Sequence, residues 1–137
     1  MRIAVTDGID ENAKKNLEHL GHFVSEEHYS NENLISGCIS EFDIVVIRSA
    51  TKLTADVIMA NTSDNSNLSM IIRAGVGVDN IDLSSASENS ILVCNTPSAS
   101  TNAVVELTMG HLISSCRKIT TGPVSYTHLR AHETTCH

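Results

Sequence analysis

Three short stretches of this 137-residue chain combine residue types that could hold a small anion. The first is Arg48-Ser49-Ala50-Thr51, directly after the apolar run ending at Ile47. A guanidinium, two hydroxyls and backbone amides at a strand exit suit a carboxylate or phosphate. The same residues also serve a plain strand end, with Arg48 solvated and Ser49 and Thr51 as turn formers. The second is Arg73-Ala74-Gly75-Val76-Gly77-Val78-Asp79-Asn80. Glycines at 75 and 77 let peptide N–H groups approach an anion closely, or simply make a tight strand exit. The stretch is not a dinucleotide fingerprint, because the third glycine of G-x-G-x-x-G falls on Asn80 and no long helix follows. The third is Cys94-Asn95-Thr96-Pro97, leading to Val105-Glu106-Leu107. There Pro97 ends the strand, Asn95 and Thr96 hold a ligand or bond the turn, and Glu106 on its apolar helix ties down a neighbouring backbone or charge.

Other chemistries lack the residues they need. His128, His132 and Cys136 share helical spacing, but nothing around them would orient metal ligands, so no metal site is expected. His19, His22, His28 and His111 have no Ser or Cys partner in a nucleophile arrangement. With 9 basic against 16 acidic residues, the net charge of −7 argues against non-specific binding to nucleic acid or anionic membrane. No apolar run approaches the roughly 18 residues that span a bilayer. The start Met1-Arg2-Ile3-Ala4-Val5-Thr6-Asp7 turns polar too soon for a secretory signal. The cysteines Cys38, Cys94, Cys116 and Cys136 form no CxxC pair, so reduced thiols in a cytoplasmic protein are expected.

The elements that must position these stretches alternate between short apolar runs and amphipathic segments, the pattern of repeated strand–helix units. Strands are predicted at Ile3–Thr6, His22–Ser25, Phe42–Ile47, Leu68–Arg73 and Ile91–Cys94. The third is apolar enough to be covered on both faces. Helices are predicted at Asp10–Leu20 with Asp10 as N-cap and Gly21 as stop, at Asn33–Cys38, and at Thr54–Ala60 with Thr54 as cap. One or two further turns run from Asp82 to Glu88, capped by Asp82, and a long helix runs from Ser100 or Thr101 to Arg117. That last helix is apolar around most of its circumference and should be buried against more than one neighbour. Asn61–Asn67 reads as a polar loop. The expected fold is α/β: a flavodoxin-like open parallel sheet with helices on both faces.

The ordered set Arg48-Ser49-Ala50-Thr51-Lys52-Leu53-Thr54, Arg73-Ala74-Gly75-Val76-Gly77-Val78-Asp79-Asn80-Ile81-Asp82 and Asn95-Thr96-Pro97 with Val105-Glu106-Leu107 resembles the N-terminal part of D-isomer-specific 2-hydroxyacid dehydrogenases. The resemblance runs from about Arg2 to Thr121. It implies an NAD-dependent, homo-oligomeric, cytoplasmic enzyme of two similar α/β domains, with the active site in the cleft between them. Residues 1–121 would be the substrate-binding domain, and the helix over 101–117 the crossover to a nucleotide-binding domain absent from this chain. Backbone amides of Val76 and Gly77 would hold the substrate carboxylate. Arg48 and Ser49 would face its distal end, and Val76 would also lie near the nicotinamide of NAD. Arg48-Ser49-Ala50-Thr51 tilts the expected substrate toward 3-phosphoglycerate, hence serine biosynthesis, over other D-2-hydroxy acids.

No catalytic residue of the family is expected here, because its Arg, Glu and His and its glycine-rich fingerprint lie downstream. From Pro123 onward the chain resembles no part of the family, and Ser125 to Thr134 looks like translated sequencing adapter. Residues 122–137 are therefore expected to be a non-native or disordered tail on an incomplete two-domain enzyme. The main alternative is a non-catalytic, flavodoxin-like module that binds small anions. A phosphoryl receiver is disfavoured, since Arg48-Ser49 stands where its acidic acceptor should be.

Overall fold

A computed structural model describes residues 1–63 and 65–119. Ten elements follow one another: β1 (Arg2–Val5), α1 (Glu11–His19), β2 (Phe23–Glu26), α2 (Asn31–Ile35), β3 (Ile44–Ile47), α3 (Ala55–Ala60), β4 (Met70–Arg73), α4 (Leu83–Glu88), β5 (Leu92–Asn95) and α5 (Thr101–Arg117). Met1–Ser98 form one compact unit, and the chain from Ala99 belongs to a second. The first holds a five-stranded, wholly parallel sheet in the order β2-β1-β3-β4-β5. The expected α/β architecture is the one observed.

Strand alternation divides the core into two layers. On one face, Ala4, Val45, Ile47 and Ile71 pack with Leu34 of α2, Val57 and Ile58 of α3 and Ala86 of α4, joined by Phe42, Leu53 and Ile91. On the other, Ile3, Val5 and Val46 pack with Leu17 of α1 and with Ile9, Val24, Ile44 and Ile72. Helices thus cover both faces, which is why β3 reads as an unbroken apolar run.

Local capping chemistry sets most helix ends. Asp10 accepts from the Asn12 and Ala13 amides at 3.0 and 3.2 Å, and Gly21, at φ +85°, takes the left-handed turn after α1. Asp82 accepts from the Ser85 amide at 2.8 Å. Two expectations need correction. Helix α2 begins before Asn33, because Ser30 caps it by accepting from the Asn33 amide at 3.2 Å. Thr54 holds the N-cap position of α3, yet its side chain makes no capping hydrogen bond.

The supposed polar loop from Asn61 begins inside the core. Asn61 is fully buried: its Oδ1 accepts from the Ile39 amide at 3.0 Å, and its Nδ2 donates to the Leu34 and Val57 carbonyls at 2.7 and 2.8 Å. One carboxamide thus joins α2, α3 and the connection before β3, where no secondary structure would satisfy the Ile39 amide.

Helix α5 has the predicted limits but not the predicted burial. None of its residues is buried, and Val104, Val105, Leu107, Met109, Leu112 and Ile113 are all exposed. Glu106 is exposed as well and forms no ion pair among the described residues. The physical reason is that α5 lies in the second unit, whose other described residues do not cover those apolar side chains. The tail at 122–137 and the trio His128, His132 and Cys136 lie outside the described residues.

Replacing Asn61 with Ala strands the Ile39 N–H in the core, while the Leu34 carbonyl keeps the Gly37 N–H at 3.3 Å. Urea unfolding should show a loss of about 1–3 kcal/mol, the cost of one buried unsatisfied group. A loss under about 1 kcal/mol would show that the staple is not needed.

Candidate functional site

In a parallel sheet all strands end at one edge, and their exit loops must satisfy the backbone groups the ladder leaves there. Four such exits converge in this fold. Chain order reverses between β1 and β3, the switch point where such sheets open a crevice. The exits of β1 and β3 are Asp7-Gly8 and Arg48-Ser49-Ala50-Thr51; those of β4 and β5 begin at Ala74 and Thr96.

Asp7 spans that switch point. Its Oδ2 accepts from the backbone amides of Arg48 at 2.7 Å and Thr51 at 3.1 Å. Its Oδ1 accepts from the Thr51 hydroxyl at 2.7 Å, and that hydroxyl also lies 2.8 Å from Thr6 Oγ1. A hydroxyl has one proton and a carboxylate only accepts, so Thr6 donates to Thr51 and Thr51 donates to Asp7. Gly8, at φ +79°, lets the chain turn away immediately beyond Asp7. Burial pushes the Asp7 carboxyl upward. The Thr51 hydroxyl, the Arg48 and Thr51 amides and the positive field of His28 outweigh it and hold the group below its ordinary value.

Asn80 grips the same loop from the other side. Its Nδ2 donates to the carbonyls of Arg48 and Thr51, both at 2.7 Å, and its own carbonyl accepts from the Leu53 amide at 2.8 Å. Asn95 does the same for the β4 exit, donating to the Val76 carbonyl at 2.7 Å, while Thr96 N–H donates to the Gly75 carbonyl at 3.0 Å. With those carbonyls committed, the loop's amides are the groups left over. Among the described residues, the N–H groups of Val76 and Gly77 meet no protein acceptor.

Two of the four residues expected to bind substrate come together. Ser49 and Gly77 line one cleft of about 190 Å³ with Arg73, Asp79 and Asn80. Arg48 instead lines a neighbouring depression with Gly8, Ile9, Asp10, Val46 and Ala74. Val76, expected near both substrate and nicotinamide, stands 52% exposed and lines neither.

Arg73 opens the second stretch singled out from the sequence, but no role of its own is read for it there. Its Nε is buried without a hydrogen-bond partner, and its guanidinium lies so close over Gly75 that a Cβ there would overlap it. A side chain at position 75 would displace the Arg73 guanidinium from its present place. The usable signal was the arginine closing an otherwise apolar strand, two residues before a glycine.

The sequence matches the family described as D-isomer specific 2-hydroxyacid dehydrogenase, catalytic domain, over residues 3–135. The chain belongs to that family. It is similar to a hydroxypyruvate reductase of Thermotoga maritima, 43% identical over 127 residues, spanning 90% of this chain and 39% of the relative. It is equally similar to a D-3-phosphoglycerate dehydrogenase of Methanocaldococcus jannaschii, 43% identical over 119 residues, spanning 87% of this chain and 22% of the relative. Among solved structures, an NAD+-bound 3-phosphoglycerate dehydrogenase of Entamoeba histolytica superposes with a TM-score of 0.66 at 34% identity, over 83% of this chain and 38% of that one. The chain therefore spans only about a fifth to two fifths of the length of these relatives. The family match extends past Thr121, where the resemblance was expected to end, into residues beyond those described.

An NAD+-bound structure stands among the relatives, but the turn from β4 into α4 does not fit the pyrophosphate of a dinucleotide. Where a third fingerprint glycine would stand, Asn80 is tied to two carbonyls. The helix that follows, α4, has six residues, and its first turn is already closed by Asp82. No pyrophosphate cradle remains at that helix end.

The Asp7 carboxylate should show in acid unfolding. With its folded value depressed, its contribution is complete above the unfolded value near 4, roughly the model-peptide figure, and is lost as pH falls through the lower folded value. The stability difference between wild type and Asp7→Asn, followed by urea unfolding, should be constant above about pH 5 and shrink below about pH 4. A difference independent of pH would mean that the carboxylate's charge does not matter.

Proposed function

We propose that this chain is the substrate-binding part of an NAD-dependent D-2-hydroxyacid dehydrogenase, and that its substrate is a small phosphorylated acid, 3-phosphoglycerate. The observation that carries this reading is the joint lining of one cleft by Ser49, Arg73 and Gly77. The amides of Val76 and Gly77 offer the paired N–H donors that a carboxylate needs, at a loop whose carbonyls are already engaged. The guanidinium of Arg73 and the hydroxyl of Ser49 offer a charged and a neutral donor for a second anionic group on the same small molecule. Arg48, on the neighbouring depression, widens the positive edge of the site. The exposed Val76 is where the family resemblance puts the edge of the nicotinamide.

Hydride transfer from a secondary alcohol needs a base within hydrogen-bond reach of the reacting oxygen. The cleft is lined by Ser49, Arg73, Gly77, Asp79 and Asn80, and no histidine is among them. In this proposal the chain grips and orients the acid, while nicotinamide and proton acceptor sit on further polypeptide of the same enzyme. Similarity to relatives of both names, 43% identical each, supports the phosphoglycerate and the hydroxypyruvate assignments alike, and Arg73 beside Ser49 is what favours the doubly anionic substrate.

The test is steady-state kinetics on the full-length gene product with NAD and 3-phosphoglycerate, D-glycerate or D-lactate, and with NADH and hydroxypyruvate. The expected result is the highest kcat/KM for 3-phosphoglycerate. Arg73→Ala should lower it by about 10- to 100-fold, from the roughly 1.5–3 kcal/mol of a charge-assisted hydrogen bond, mainly through KM. The 137-residue chain alone should reduce no NAD. Turnover by that chain, or indifference of the full enzyme to Arg73→Ala, would overturn the assignment.

A further inference from the structure

The loop Arg48-Ser49-Ala50-Thr51 is held by almost nothing but polar ties, and their arrangement is asymmetric. Both of its end amides and the Thr51 hydroxyl go to Asp7, on the β1 side. Both of its end carbonyls go to the Asn80 carboxamide, on the β4 side. The apex residues Ser49 and Ala50 are left between two fixed points, and among the described residues their amides meet no protein acceptor. Ser49 faces the cleft with Arg73 and Gly77, while Ala50 faces depressions on the opposite side, beside His28.

We propose that Asp7, acting with Thr51 in the relay Thr6–Thr51–Asp7, is a positioning residue that pre-sets the Ser49 apex for the anion in the cleft. The inference rests on reading that cleft as the substrate site. Neither Asp7 nor Thr51 lines the cleft, so their influence on a ligand there travels through the loop backbone alone. Fixing a residue's backbone costs conformational entropy. A loop already fixed in the free protein spares the ligand that cost, which is the advantage of preorganisation. The Thr51 hydroxyl is the keystone because it is buried and joins two partners at once, accepting from Thr6 while donating to Asp7.

The geometry separates positioning from mere packing. Thr51→Val keeps the side chain's shape and removes the hydroxyl; Thr51→Ser keeps the hydroxyl and leaves a methyl-sized gap. If Thr51 matters through packing, Ser is the more damaging change. If it matters through the relay, Val is.

The experiment is an amide-resolved NMR titration of the 137-residue chain with 3-phosphoglycerate as probe, with amide hydrogen exchange measured on the ligand-free proteins. In wild type the Ser49 and Gly77 amides should shift on titration. Thr51→Ser should bind within about twofold of wild type. Thr51→Val and Asp7→Asn should bind about five- to tenfold more weakly and exchange the Ser49 and Ala50 amides faster, with the core amides of β3 still protected. Failure of the wild-type amides to shift would overturn the reading of the cleft, and the positioning role with it. A wild-type response matched by Thr51→Val, or lost more in Thr51→Ser than in Thr51→Val, would overturn the positioning role alone. Should Thr51→Val prove unfolded, Asp7→Asn decides, and unweakened binding by it is the refuting result.

Discussion

A parallel sheet delivers all of its strand ends to one edge, and no ladder satisfies the peptide groups just beyond them. Here three short polar side chains take over that task, each crossing from one strand exit to a neighbour. Asp7 ties the β1 exit to the β3 exit, Asn80 ties β4 to β3, and Asn95 ties β5 to β4. The result is a continuous polar seam across four of the five strands. Everything the proposed site offers depends on which groups that seam consumes. Asn95 and the Thr96 amide consume carbonyls of the β4 exit, so donors remain at Val76 and Gly77; Asp7 and Asn80 consume the end amides and end carbonyls of the loop after β3, so only its apex can reach outward.

The seam also explains which parts of the site could be seen in the sequence. Glycines at 75 and 77 and the Arg48-Ser49 pair are local signals: a type of residue at a strand end announces itself within a few positions. The partners that shape them are not local. Asp7 lies 41 residues from Arg48 and 44 from Thr51, and Asn80 lies 32 and 29 from the same two. Only the strand order, which places β1 beside β3, brings the first pair together. An aspartate followed by a glycine reads as the end of a strand, and here it is both that and the organiser of another loop.

The same distinction separates the helices that were legible from those that were not. Asp10 and Asp82 cap helices whose first turns lie within three residues, so sequence spacing suffices. Asn61 was hidden because its polarity and its neighbours, Thr62 and Ser63, imitate a solvated loop, whereas its partners Ile39 and Leu34 sit 22 and 27 residues away. In α5 the apolar surface was legible and the burial was not. Periodicity reports which side chains seek cover, and it carries no information about whether the described chain supplies that cover.

Charge shows the limits of a global argument most directly. A net charge of −7 disfavours a polyanion partner, since such partners need a field spread over a broad surface. A small anion needs only a local one. Within an 8 Å screening length in physiological salt, what counts is the guanidinium of Arg73, the dipoles of two unclaimed amides and the nearest carboxylates. Asp7 is one of those carboxylates, and its charge is taken up by two amides, a hydroxyl and the field of His28. Asp79 is the other: it lines the cleft, with an oxygen 3.2 Å from where a Cβ on Gly77 would sit. Asp7, which does not line the cleft, has its charge spent on the scaffold; Asp79 does line it, beside Gly77, so an acid held at that amide would meet a like charge that the Arg73 guanidinium on the same cleft must offset.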